Sequence, residues 1–83
     1  MKISSNTSLQ QLFDIAKASV NEVDSGEKFI VKDLFRGFEW NRIGKGDRTK
    51  LGAMFFAYAK DQGTQYIDVL SKTPQNQQIY MKK

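Results

Sequence analysis

The chain has 83 residues, with no cysteine, no histidine and a single proline. Without cysteine there is no disulfide, no thiol nucleophile and no zinc-finger site, and a reducing interior is favoured. Without histidine the commonest general base is missing as well. The acidic residues are dispersed, with none of the clustered spacing of a metal site. We therefore expect a non-enzymatic protein that carries no metal and no cofactor.

Long hydrophobic runs are also missing. No stretch approaches the roughly eighteen apolar residues of a membrane span, and the N-terminus has no apolar signal core. The charged fraction of 27% and the apolar fraction of 40% are typical of a soluble globular protein. We expect a cytoplasmic protein that makes no contact with membranes and forms one domain over residues 1–83, with a modest core.

Positive charge is concentrated in the second half of the chain. The formal net charge is +4, yet residues 1–41 hold five cations against six anions, and residues 42–83 hold eight cations against three anions. Such asymmetry is typical of a surface that meets a polyanion. The alternative is a soluble protein that happens to be basic.

The first half begins with a strong helix signal at Ser8. Ser8 and Gln11 fit a capping box, and apolar residues then recur at helical spacing to a predicted end near Asn21. A turn follows at 24–27. Residues 29–31 have the composition of a three-residue strand, and residues 32–35 that of a short helix that stops at Gly37.

A second long helix is predicted after a connector at residues 37–46. Asp47 is its expected N-cap, Asp61 its approximate end and Gly63 its C-cap. Phe56 falls on the face opposite the apolar side, where it is either covered by a neighbouring segment or exposed to a partner.

The C-terminal part predicts a β-hairpin. Alternating residues at 66–71 are followed by a turn at 73–76, with Pro74 at the position that favours a preset φ, and by a returning strand at 78–81. Trp40 is expected to be buried in the core, and the rest of the predicted core is Phe13, Phe29, Leu34, Phe35, Leu51, Met54, Phe55, Tyr58 and Val69.

This order of elements resembles a winged helix-turn-helix domain over roughly residues 8–83. The resemblance implies an α+β fold in which the hairpin is the wing. One departure is the connector at 37–46, which is longer than the three or four residues usual between the two helices of the motif.

A narrower resemblance is carried by Val31-Lys-Asp-Leu-Phe-Arg-Gly37, together with Glu39-Trp40, Arg48, Leu51-Gly52 and Phe55. These residues are similar to a family of short uncharacterised proteins from Gram-positive bacteria, their phages and mobile elements. From this similarity we expect the protein to be encoded by a phage or mobile element. The similarity implies no activity.

The basic segment before the second long helix is the main candidate site. Early residues of such a helix face the major groove in helix-turn-helix proteins, where Arg can bond guanine, Thr can bond bases or touch a thymine methyl, and Lys usually reaches phosphate. The alternatives are a solvated helix start whose cations pair with Asp47 or Glu39, and an ordinary exposed turn at the hairpin tip. The predicted DNA-binding residues are Arg42, Lys45, Arg48, Thr49, Lys50, Lys72, Gln75 and Asn76.

The partner that this pattern favours is duplex DNA, which a small regulator or accessory protein would bind, with a homodimer possible. A second hypothesis is a protein-binding module that inhibits or modulates a host protein. A third is binding of single-stranded nucleic acid, in which bases would stack on Trp40.

Overall fold

The first helix begins where its capping box predicts. The computed structural model describes residues 3–4 and 6–83. In it, α1 spans Leu9–Val20 and Asn21 is its C-cap. Ser8 Oγ accepts a hydrogen bond from the backbone N–H of Gln11 (3.2 Å), and Gln11 Oε1 accepts one from the N–H of Ser8 (2.9 Å). The reciprocal pair satisfies two donors that the first turn leaves free, so the predicted cap is confirmed.

The strand and short helix that follow differ from the prediction in their boundaries. β1 covers only Lys28–Phe29, and a 3₁₀ helix begins already at Val31 and ends at Leu34. Asp33 explains the early start, since its Oδ2 accepts a hydrogen bond from the backbone N–H of Ile30 (3.0 Å). That bond draws the chain into a turn where the composition predicted a third strand residue.

The predicted connector contains a helix. α2 spans Gly37–Trp40, and four residues, 41–44, join it to α3, which spans Lys45–Ala59. α2 begins at Gly37, the residue at which the predicted short helix was to stop. A single turn is too short to show helical periodicity in the sequence, which is why the prediction missed it.

Both predicted caps of α3 are wrong. Gly44 is the N-cap and makes no side-chain capping bond. Asp47 is the third residue of the helix, where the positive end of the helix dipole stabilises its carboxylate. At the other end Lys60 is the C-cap. Gly63 lies beyond it in a second 3₁₀ helix, Gln62–Gln65, where it is buried.

The predicted hairpin is confirmed. β2 (Ile67–Lys72) and β3 (Gln78–Lys82) are antiparallel, and β1 pairs with the other edge of β3, which gives the sheet order β1-β3-β2. In the turn, the N–H of Asn76 donates to the carbonyl of Thr73 (2.9 Å). Asn76 has a φ of 66°, a left-handed conformation that asparagine tolerates better than most residues.

α1 and α3 pack on each other, and the buried side chains of the helices and the sheet form one core. The alternation along β3 turns Tyr80 inward, against Phe29 and Phe55. The fold is α+β, as predicted, with three α-helices and a three-stranded antiparallel sheet in the described residues. None of the described helices is long and apolar enough to cross a membrane.

The predicted core is right in part. Phe29, Leu34, Phe35, Leu51 and Phe55 are buried, whereas Phe13, Trp40, Met54, Tyr58 and Val69 are only half-buried. The prediction missed Ile3, Leu12, Ala16, Val20, Ile43, Ala59, Ile67 and Tyr80.

Candidate nucleic-acid interface

A groove of about 650 Å³ runs between α3 and the tip of the hairpin. It has two walls, joined by residues that precede α3. The helical period places one face of α3 along the first wall, and the β2–β3 turn forms the second. From α3 the lining residues are Lys45, Arg48, Thr49, Gly52, Ala53 and Phe56, from the hairpin Lys72, Gln75, Asn76, Gln77, Gln78 and Tyr80, and from the segment before α3 Ile30, Val31, Lys32 and Trp40.

The groove is positively charged. Four cations line it and, among the described residues, no carboxylate does. The ion pairs within residues 3–4 and 6–83 join Lys17 to Asp14, Arg36 to Glu39 and Lys83 to Asp68, all outside the groove. The alternative in which Asp47 or Glu39 neutralises the cations of the α3 start is therefore not observed in the described part of the chain.

Arg48 is held against Trp40. One terminal nitrogen, Nη2, donates a hydrogen bond to the Trp40 carbonyl (3.1 Å), and the guanidinium carbon lies 5.3 Å from the centre of the Trp40 ring. Nε is buried and has no hydrogen-bond partner in the described residues. The Arg48 side chain therefore lines the groove, but its Nε and one N–H of Nη2 face the protein.

Lys45 and Thr49 lie one turn apart on the groove face of α3, and both are exposed. The Thr49 hydroxyl donates to the carbonyl of Lys45 (3.2 Å). Lys50 is also exposed, but it is outside the groove lining. The α3 wall therefore presents Lys45 and Arg48 in its first turns, small side chains at positions 49, 52 and 53, and Phe56 beyond them.

The opposite wall carries Lys72, Gln75 and Asn76, which are all exposed. In it the two N–H groups of Gln78 Nε2 are shared among three carbonyl oxygens within hydrogen-bonding distance, those of Leu70 (2.6 Å), Ser71 (3.2 Å) and Ile79 (3.1 Å). These contacts lie at the irregularity in the ladder between Val69 and Lys72.

Arg42 lies apart from the other predicted residues. It donates a hydrogen bond from Nη1 to the carbonyl of Ile3 (2.7 Å), and its guanidinium lies 5.1 Å from the centre of the Phe38 ring. Since it does not line the groove, the fold brings together six of the eight predicted residues and leaves Arg42 and Lys50 outside.

The prediction missed several groove residues. Lys32 adds a cation from the 3₁₀ segment, and Gln78 extends the hairpin wall. Tyr80 lines the groove from β3, and burial raises the pKa of its phenol to about 12. No local pattern indicates Lys32, because its place in the groove depends on how the 3₁₀ helix docks beside the sheet.

Trp40 was expected in the core and instead lies at the boundary between core and groove. It is half-buried, and its ring centre is 5.7 Å from that of Phe35. With Phe35 on one part of the indole and Arg48 over its ring, much of its aromatic surface is already in contact with the protein.

These features define a small α+β domain with a basic groove between a helix and a hairpin. The chain belongs to a family described as a domain of unknown function, DUF1413, whose model matches residues 14–82. The match spans every residue of the groove lining and agrees with the resemblance to an uncharacterised family. Comparisons with curated proteins and with solved structures gave no match.

Proposed function

We propose that this protein binds duplex DNA without catalysing a reaction, with α3 entering the major groove and the hairpin acting as a wing. The observation that carries the proposal is the groove itself, which collects four cations and no described carboxylate between a helix and a polar hairpin tip. Cations placed along a groove replace the counterions of the phosphate backbone, and their release drives binding.

The order of helices and strands supports the hypothesis that the fold is a winged helix-turn-helix. The four-residue link at 41–44 between α2 and α3 has the length usual between the two helices of that motif. The pairing of β1 with β3 extends the hairpin into a sheet behind it.

The groove suggests a division of roles. Lys45, Lys72 and Lys32 contact the sugar-phosphate backbone as point charges, and the amides of Gln75 and Asn76 add hydrogen bonds at the wing. Arg48 reaches phosphate with the donors that Trp40 leaves free. Regulation or an accessory role on a phage or mobile element, a cytoplasmic location and a homodimer remain parts of this proposal.

A charge reversal at the first residue of α3 tests the proposal. Lys45→Glu places a carboxylate in the groove at a helix N-terminus, a position that favours an acid and so preserves the fold. Lys28→Glu is the matched control, because Lys28 is exposed on β1 and outside the groove. Fluorescence anisotropy of a labelled random-sequence duplex at low salt gives the affinities.

We expect Lys45→Glu to weaken duplex binding by about tenfold or more, through the lost phosphate contact and the added repulsion, and Lys28→Glu to have a much smaller effect. Equal losses in the two variants, or no duplex binding by the parent protein, would contradict the proposal.

Binding of single-stranded nucleic acid is tested by a separate titration that follows the fluorescence of Trp40. Trp40 is the only tryptophan in the chain and lines the groove, so its fluorescence reports an occupied groove. Because Arg48 and Phe35 already contact its ring, we expect poly(dT) to quench it less than the duplex does. Tight, salt-independent capture of a host protein with no DNA binding would favour the protein-binding hypothesis.

A further inference from the structure

The outward face of α3 has few groups that can hydrogen-bond to bases. Apart from Lys45 and Lys50, the exposed residues on its first three turns are Gly46, Thr49 and Ala53, which carry at most a hydroxyl and a methyl. Side chains this small let the helix come close to base edges, and sequence is read there by hydrogen bonds or by apolar contact.

Arg48 is poorly placed for the commonest base contact. Bidentate bonding of guanine needs two adjacent guanidinium donors free at the helix surface. Here Nη2 donates to the carbonyl of Trp40, Nε is buried and the guanidinium lies over the indole. A guanine contact of Arg48 would therefore have to use the hydrogens of Nη1 and the second hydrogen of Nη2, while the guanidinium stays over the indole.

Thr49 and Ala53 instead present methyl groups. The hydroxyl hydrogen of Thr49 is donated to the carbonyl of Lys45, which leaves its methyl group and the acceptor lone pairs of Oγ1 to face a ligand. Ala53 lies four residues later, on the same face and about 6 Å along the helix. Both residues line the groove and are exposed.

Gly52, beside them, points to close contact with a ligand. A glycine weakens a helix interior, yet a Cβ at this position would have no protein atom within 4 Å. Packing therefore does not require glycine, whereas the approach of another molecule to this wall of the groove gives a reason for it.

Thymine is the base that offers a methyl group in the major groove. Resting on the duplex binding proposed above, we propose that Thr49 and Ala53 form an apolar reading surface for thymine methyl groups, so that the preferred sites carry thymines one or two steps apart. The spacing agrees, since bases on one strand rise about 3.4 Å per step.

The test removes the methyl group from each side of the contact. A binding site is first selected from a random duplex pool, and each thymine in it is then replaced by deoxyuridine, which lacks only the C5 methyl. Thr49→Ser deletes the methyl and keeps the hydroxyl. Thr64→Ser is the matched control, because Thr64 is exposed and outside the groove.

We expect deoxyuridine at one or two positions to weaken binding of the parent about three- to tenfold, and Thr49→Ser to lose that dependence at the thymine that Thr49 contacts, whereas Thr64→Ser keeps it at every position. Binding that is indifferent to deoxyuridine, or equally sensitive in Thr49→Ser and the parent, would overturn the inference while duplex binding stands. A parent that selects no duplex refutes the proposed function, and this inference with it.

Discussion

Two glycines show how differently single positions are constrained. Gly52 in α3 has open space where a side chain would begin, whereas a Cβ at Gly63 would lie 2.9 Å from Cε2 of the Tyr58 ring and 3.0 Å from the Tyr58 carbonyl oxygen. The ring cannot move aside freely, because it packs against Phe13 and Phe55, each with ring centres 5.8 Å away. Gly63 is therefore required by packing and Gly52 is not.

The same substitution should thus have opposite effects at the two sites. Gly63→Ala is expected to lower the free energy of unfolding by about 1–3 kcal/mol through overpacking, and Gly52→Ala to raise it by up to about 1 kcal/mol through helix propensity. Urea denaturation of both variants measures the two changes. Destabilisation by Gly52→Ala would contradict the open space found at that position.

Tyr80 gives the fold a dependence on alkaline pH. Its side chain is 1% exposed, and burial raises the pKa of its phenol from 10.0 to about 12. Below pH 10 the folded and unfolded chains both hold the proton. Between pH 10 and about 12 only the folded chain does, so stability falls as pH rises through this window.

We expect this loss to reach up to about 3 kcal/mol, since the pKa of the Tyr80 phenol is 10.0 in the unfolded chain and about 12 in the folded one. Urea denaturation at several values between pH 8 and pH 12 measures it, with Tyr80→Phe as the comparison that lacks the ionisable group. The variant should lose less stability over the window than the parent. Parallel pH profiles would show that the phenol does not titrate as the structure requires.

At the scale of elements, the hairpin depends on one amide side chain. The two N–H groups of Gln78 Nε2 are shared among three carbonyl oxygens, those of Leu70, Ser71 and Ile79. A carboxylate at this position cannot donate and would face the same three oxygens. Gln75, three residues earlier in the turn, is exposed.

Gln78→Glu should therefore lower the free energy of unfolding by about 1–3 kcal/mol, since it leaves polar groups unpaired and adds repulsion. Gln75→Glu makes the same change of charge and should alter stability by less than about 0.5 kcal/mol. Chemical denaturation of the pair gives the difference. Equal stabilities would mean that the amide does not hold the β2–β3 irregularity.

At the scale of the whole molecule, charge is separated between two surfaces. The groove gathers Lys32, Lys45, Arg48 and Lys72. A second depression, on α1, is lined by Glu22 and by Asp14, which is ion-paired with Lys17. A field of this kind orients the groove toward a polyanion during approach.

This arrangement predicts a steep salt dependence of duplex binding. If the four groove cations contact phosphates, the logarithm of the affinity should fall with the logarithm of salt concentration with a slope of about −3 to −4. Lys72→Gln should reduce the magnitude of the slope by about 1, and Lys28→Gln, outside the groove, should leave it unchanged. Identical slopes for the parent and both variants would argue against a phosphate contact at the hairpin.

Where a signal is local, the sequence was sufficient to predict the structure. The capping box at Ser8 starts α1 because both of its hydrogen bonds join residues three apart, and Pro74 with Asn76 closes the hairpin through backbone preferences of the turn itself. The charge asymmetry and the α+β class likewise follow from composition and from the order of periodic segments.

Only the tertiary structure decided the start of α3 and the make-up of the groove. Gly44 caps α3 without a side-chain bond, so no residue marks the true start of the helix. Asp47 was predicted as the N-cap because aspartate is a preferred N-cap residue. Arg42 and Arg48 look equivalent in the sequence, yet one bonds the carbonyl of Ile3 and the other that of Trp40. The direction of a long cationic side chain depends on which distant carbonyl or ring the fold brings near it, and this contact between segments is not encoded in local spacing.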